Sequence, residues 1–361
     1  MSKIIVSVTL LVAALIGITI GLFLQVKEPK SVQLPPQKEQ NVPAPTPQKK
    51  ISIVGVTASF DEETSLQRFA EVADKLSIYS PGLYNISRAG QLQQLSVKHR
   101  DTFLSHARNN NLTILPLIGD GFDSSRVQLL LNNKEIQKEF IRQLVEEAKN
   151  QDFDGWALDI EVLSPQDRDA FTEFIRDVAF DLHDNGLLLK VILFAKTAQK
   201  SSYPGRAQDY AAIGQYADFL GLMFFTFHNE ATGPGAQAPL SWYRDTLSFA
   251  TSQIPKEKII VGLTTHGFDW GVGRGREVTY PQAEERINTY SATVHYDQID
   301  SSAVATYEKD GVEHVIWYED ATTIVEKMKI ARDKFNLSTF AFWRIGAEDP
   351  KLWSLIPNIS N

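Results

Sequence analysis

Two carboxylates, two positions apart, close the run Phe153-Asp154-Gly155-Trp156-Ala157-Leu158-Asp159-Ile160-Glu161. Side chains on a strand alternate between faces, so Ala157, Asp159 and Glu161 share one face while Trp156, Leu158 and Ile160 share the other. The apolar face is suited to packing on helices. The other delivers a pair of acids to the end of the strand where a parallel barrel keeps its chemistry. Asp154 falls at the opposite end and on the opposite face, where binding backbone groups at the strand entrance is the expected role. A lone carboxylate at a strand end more commonly caps a helix or pairs with an arginine, so context must decide.

Other chemistries are poorly served. The absence of cysteine removes disulfides, thiolate metal sites and a cysteine nucleophile together. The seven histidines are scattered, with no H-x-H or H-E-x-x-H spacing, so no metal or other cofactor is expected. Gly271-Val-Gly-Arg-Gly275 follows a strand without opening a helix and reads as a loop at the barrel mouth rather than a phosphate cradle. A net charge of −8 with no basic stripe argues against nucleic acid.

The elements that must hold the acid pair follow from periodicity. Strand candidates fall at 51–60, 76–86, 112–118, 153–161, 187–194, 219–227, 259–265 and 339–345, with amphipathic segments between them. The clearest helix follows the acids: Ser164 and Pro165 start it, Phe171, Phe174, Ile175, Val178 and Leu182 form its apolar stripe, and Gly186 ends it. This rhythm predicts an α/β fold, a (β/α)8 TIM barrel over 51–361. An open doubly wound sheet would produce the same alternation. Between the seventh and eighth strands, alternation over 303–318 around Asp310-Gly311 predicts a small β-hairpin insertion.

Ahead of the barrel, residues 4–24 form an apolar run without charge, long enough at about 1.5 Å per residue to cross a bilayer core of roughly 30 Å. We assign 1–27 as a transmembrane anchor, with a cleaved signal peptide as the competing reading. Residues 28–50, rich in Pro, Gln and Lys, are expected to be a disordered tether. The barrel would then stand outside the cytoplasm as a monomer, anchored to the membrane, or be secreted if the leader is cut.

Asp154, Gly155, Asp159 and Glu161 resemble the D-G-x-D-x-D-x-E signature of glycoside hydrolase family 18, the chitinase-like barrels. Further resemblance runs through 258–270, 315–321 and 340–350, covering nearly all of 51–361, and the closing pattern is similar to that of bacterial members acting on cell-wall or exopolysaccharide glycans. The resemblance implies retaining hydrolysis of β-linked N-acetylglucosamine polymers, in which the 2-acetamido oxygen of the substrate replaces a protein nucleophile. Glu161 would be the general acid and Asp159 would hold the acetamido N–H; a neighbouring carboxylate and partial burial would keep the acid protonated. Trp343 resembles the tryptophan that floors the sugar pocket.

Three departures bear on activity. Ala157 stands where the family has its middle Asp, and Met223-Phe224-Phe225-Thr226 replaces Met-x-Tyr-Asp, so Phe225 lacks the hydroxyl that steadies the acetamido group. Loss of one oriented contact can cost on the order of a hundredfold in rate. Either His228, His266 or Tyr318 supplies the contact, or the site has become a glycan-binding groove. His228 and Glu230, just after strand six, are candidates for substrate contact or for bracing their loop. A third class, an envelope scaffold, would require a large exposed apolar patch on the outside of the barrel.

Overall fold

The apolar runs become eight parallel strands in a computed structural model that describes residues 50–199, 205–225 and 227–359. They are Ser52–Thr57, Ile78–Ile86, a third in two pieces (Thr113–Ile114 and Leu117–Gly119), Gly155–Asp159, Leu188–Phe194, Phe219–Phe224, Ile259–Thr264 and Thr339–Trp343. Each pairs in parallel with its neighbour, and the first pairs with both the second and the eighth, so the ring closes. An open sheet is thereby excluded. The third strand is interrupted at Pro116, which has no N–H to donate. Its carbonyl still accepts from Ala157 N at 2.9 Å, and pairing resumes at Leu117.

The alternation in the fourth strand holds. Trp156, Leu158 and Ile160 are buried in the core beneath the helices, while Ala157 faces the barrel interior with Val54, Val56, Leu117 and Ile260. Trp156 anchors the strand to helix Lys134–Gln151 by donating from Nε1 to Leu144 O at 2.9 Å. The next helix, Arg168–Asp184, buries the whole predicted stripe after a 3-10 turn at Pro165–Asp167 with a Ser164–Asp167 capping box. Gly186 at φ 72° ends it, a conformation that glycine adopts without strain.

Gly155 is fixed by close approach as well as by its positive φ of 154°. A β-carbon there would lie 2.0 Å from Leu188 O, on the neighbouring strand. Gly155→Ala must therefore push the fourth strand off the fifth, and we expect a loss of about 3 kcal/mol or more, within the range of strained and overpacked substitutions. Thermal or urea unfolding of the variant measures it; an unchanged midpoint would mean that the strand pair separates freely.

The insertion is larger than the hairpin expected from 303–318. It is a five-stranded antiparallel sheet in the order Arg276–Thr279, His266–Trp270, Val312–Tyr318, Ser302–Lys309, Thr293–Asp297, covered by helix Tyr280–Tyr290. The hairpin lies where Asp310-Gly311 placed it, with φ of 53° and 75° as a two-residue primed turn requires. The short flanking strands carry exposed polar residues that hid the wider sheet. The insertion is tied to the loop after the sixth strand by Gly275 N to Glu230 O at 2.9 Å and Trp270 Nε1 to Thr232 O at 3.0 Å. At its base a buried Lys327 bonds Glu319 at 2.8 Å and Ser301 O at 2.6 Å.

Among the described residues no helix is long and apolar enough to cross a membrane. The apolar run at 4–24 and the tether up to residue 49 lie outside the described residues.

Candidate active site

The fourth strand ends at Asp159, and the chain runs on through buried Ile160 to Glu161 at the barrel mouth. What fixes this exit is Asp120, buried just after the third strand. Its Oδ2 accepts from Glu161 N at 2.7 Å and Val162 N at 2.8 Å, and its Oδ1 accepts from Phe122 N at 2.8 Å. Three backbone donors that would otherwise be orphaned in the loops are thus satisfied by one carboxylate.

The acids open into a cleft of about 770 Å³ whose lining includes Asp159, Glu161, Met223, Phe225, His266 and Trp343. Phe60 and Phe122, 70% and 77% exposed, stand on its lips. Asp159 Oδ1 is buried without a hydrogen-bond partner. Burial, and then the charge of Asp120, raise the Asp159 carboxyl above its ordinary range, with Lys190 opposing them. Glu161 is raised by burial first and then by Asp159 and Asp120, to about 8. A proton on Glu161 at neutral pH follows, which is what a donating acid needs.

Of the other sequence candidates, His266 is buried, with Nδ1 2.8 Å from Thr264 Oγ1, and burial lowers its pKa to about 4, leaving it neutral. Its ring meets Phe225 edge-on at 6.5 Å between centroids. His228 is not among the residues lining the cleft: its Nδ1 lies 3.1 Å from Gly233 O, so it braces its own loop. Glu230 does line the cleft and pairs with Arg274 of the insertion. Tyr318 is a correction. Its strand pairs Trp317 with cleft-facing Phe268, so by parity Tyr318 lies on the reverse face, buried with Val278, Ala283 and Ile316 in the insertion core. Asp154 Oδ2 accepts from Ile114 N at 2.7 Å at the far end of the strand. Thr226 lies outside the described residues.

Sequence reading missed Asp120, Lys190 and Arg344. Arg344 is buried and bonds Asp61 at 2.8 Å and Glu277 at 2.8 Å, beneath the ring of Phe60. Lys190 left a signal: a lysine inside an apolar strand, at a position whose parity faces inward.

A closed ring of eight strands, with acids at the end of the fourth and an antiparallel insertion after the seventh, is the architecture of the chitinase-like barrels. The chain belongs to the glycosyl hydrolases family 18, whose profile matches residues 49–348. It is similar to the cortical fragment-lytic enzyme of Bacillus subtilis (strain 168), with 28% identity over 271 residues, 71% of this chain and 62% of that protein. It also resembles the class V chitinase CHIT5a of Medicago truncatula, at 23% identity over 75% of this chain and 79% of the chitinase. Among solved structures, the spore cortex-lytic enzyme SleL of Bacillus megaterium QM B1551 matches with a TM-score of 0.78 and 26% identity, over 88% of this chain and 75% of SleL. The chain spans about three fifths of the length of the Bacillus subtilis relative.

Proposed function

We propose that this chain hydrolyses a β-linked polysaccharide containing N-acetylglucosamine, such as peptidoglycan, an exopolysaccharide or a chitin-like chain, with retention of configuration. The observation that carries this reading is Glu161, a carboxyl whose backbone is clamped by Asp120 and whose side chain faces the cleft beside Asp159. Glu161 donates its proton to the glycosidic oxygen as the bond from that oxygen to C1 breaks. The acetamido carbonyl oxygen of the sugar bonds C1 in its place, and positive charge passes to the acetamido group. Asp159 accepts the acetamido N–H and faces that charge. Water then attacks C1 as the bond from C1 to the acetamido oxygen breaks and its electron pair restores the neutral acetamido group; the water gives its proton to the Glu161 carboxylate, and the starting configuration returns. Trp343 offers an indole face to a pyranose, with Met223 and Phe225 as apolar neighbours.

Phe225 favours a second reading, a glycan-binding barrel, because it brings no hydroxyl to the acetamido group. Of the three residues weighed as replacements only His266 lines the cleft, a neutral imidazole whose Nδ1 meets Thr264 Oγ1 at 2.8 Å and whose Nε2 lies 3.9 Å from Glu277. At the envelope, the apolar run at 4–24 supports attachment to a membrane, and the tether supports reach from it to a polymer.

The test is hydrolysis of chitooligosaccharides and purified peptidoglycan across pH, with the first product's anomer read by NMR. The active form has Asp159 ionised and Glu161 protonated. Activity is therefore expected to fall as pH drops through the raised Asp159 value and as it rises through about 8, the Glu161 value. The β-anomer should appear first. Binding without turnover on both polymers would replace the hydrolase by the binding barrel.

A further inference from the structure

Ala157 leaves a vacated position inside the barrel, and the residue that pairs with it across to the fifth strand is Lys190. Parity directs both side chains inward. Lys190 is 1% exposed and crosses the barrel to donate from Nζ to Ser80 Oγ at 2.8 Å, on the second strand. An ammonium has three protons to donate, and Ser80 takes one. In the same interior, Asp159 Oδ1 is buried with no hydrogen-bond partner. The two groups form no direct ion pair but sense each other's charge: burial pulls Lys190 down to about 7 against the upward push of Asp159, so its ammonium form depends on the carboxylate nearby.

The geometry points to Lys190 as a positioning residue whose ammonium form, held inside the barrel where the family signature has a further carboxylate, keeps Asp159 ionised for the substrate. This rests on the glycosidase reading for its chemical meaning, but its electrostatic content stands apart from turnover. An unaccompanied carboxylate in an interior lined by Val56, Leu117 and Ile260 would take up a proton rather than remain charged. A protonated Asp159 still has one oxygen to accept the acetamido N–H, but it cannot neutralise the positive charge that develops there. Lys190 opposes that protonation from within the barrel, leaving the outer part of Asp159 for the ligand. A lysine kept only to fill the core would be served as well by methionine.

The titratable groups that line this cleft beside Lys190 are Asp159 at the end of the fourth strand and Glu161 just past it, Asp120 after the third, Glu230 after the sixth, and His266 and Glu277 of the insertion. Removing a positive charge disfavours ionisation of a neighbouring carboxyl, so Lys190→Met must raise the Asp159 titration midpoint. The experiment is a pH titration of the carboxyl 13C shifts of labelled aspartate in the full chain, with Asp159 assigned from Asp159→Asn. It is run on wild type, Lys190→Met and Lys190→Gln, the last being neutral yet able to keep a hydrogen bond to Ser80.

The expected result is an upward shift of at least one unit in both variants. On the same samples, kcat should fall on the order of tenfold or more with KM within threefold, and the acid limb of the rate profile should move up with the Asp159 midpoint. Adding Lys190→Met to Asp159→Asn should cost little further activity. An Asp159 midpoint unmoved in a folded variant overturns the proposal, whatever the rates do. A midpoint that moves in a wild type and variant series with no turnover overturns the glycosidase reading and leaves the Lys190–Asp159 pairing supported.

Discussion

Glu161→Gln is expected to lower hydrolysis by about 10²–10⁴-fold, the usual worth of a positioned general acid, while chitooligosaccharide affinity stays within about threefold. The amide keeps the shape and the backbone bond to Asp120 and removes only the transferable proton. Stability supplies an independent check with a definite sign. The folded-state pKa of Glu161 is raised from an ordinary 4.5 to about 8, so the native protein favours the protonated form. Its stabilising contribution is complete below the unfolded value and is lost as pH rises through the folded one. Glutamine cannot ionise, so the variant should melt like wild type at pH 4 and progressively above it as pH approaches 8. Calorimetry at a series of pH values reads this directly. A wild-type rate in the variant would remove Glu161 from the chemistry, and a pH-independent difference in melting would remove the raised pKa.

Asp120→Ala is expected to carry the second largest effect, because one residue serves both the fold and the acid. It strips acceptors from the N–H groups of Phe122, Glu161 and Val162. At about 1–3 kcal/mol for each donor left unsatisfied, and with some of them reaching solvent after relaxation, a loss of about 2–4 kcal/mol is expected. Asp120→Asn isolates the charge. Its amide must turn an N–H toward one of these donors, so some stability is still lost, but the carboxylate that raises Glu161 and Asp159 is gone. Both limbs of the rate profile should therefore move to lower pH, with kcat reduced about 10–100-fold as Glu161 drifts from its position. A profile that keeps its midpoints would show that Asp120 acts through geometry alone.

The barrel was legible because its signal is repeated. Eight apolar runs separated by amphipathic helices are hard to fold otherwise, and the fourth strand announced its two faces in its alternation of Trp156, Leu158 and Ile160 with Ala157 and Asp159. Strand ends were less legible. The first and sixth strands stop at Thr57 and Phe224, short of the apolar runs that reach residues 60 and 227, because hydrophobicity continues into cleft-lining loops where pairing has ended. Tyr318 was misplaced for a related reason: strand parity is readable only when the partner strand is known, and its partner is set by the fold of the insertion. Asp120 was invisible because a carboxylate that binds backbone groups of a distant segment has no local pattern. Lys190 was visible as an anomaly, but its meaning depends on Ala157, which becomes its neighbour only when the strands pair in register.

The tie between the insertion and the loop after the sixth strand bears on salt. The exposed Arg274–Glu230 pair there is the kind of contact that dissolved ions screen. The bonds from Gly275 N to Glu230 O and from Trp270 Nε1 to Thr232 O join neutral groups, whose strength is nearly indifferent to ionic strength. The join between that wall and the loop after the sixth strand therefore keeps its neutral contacts as a medium swings from dilute to saline, while the exposed ion pair beside them weakens.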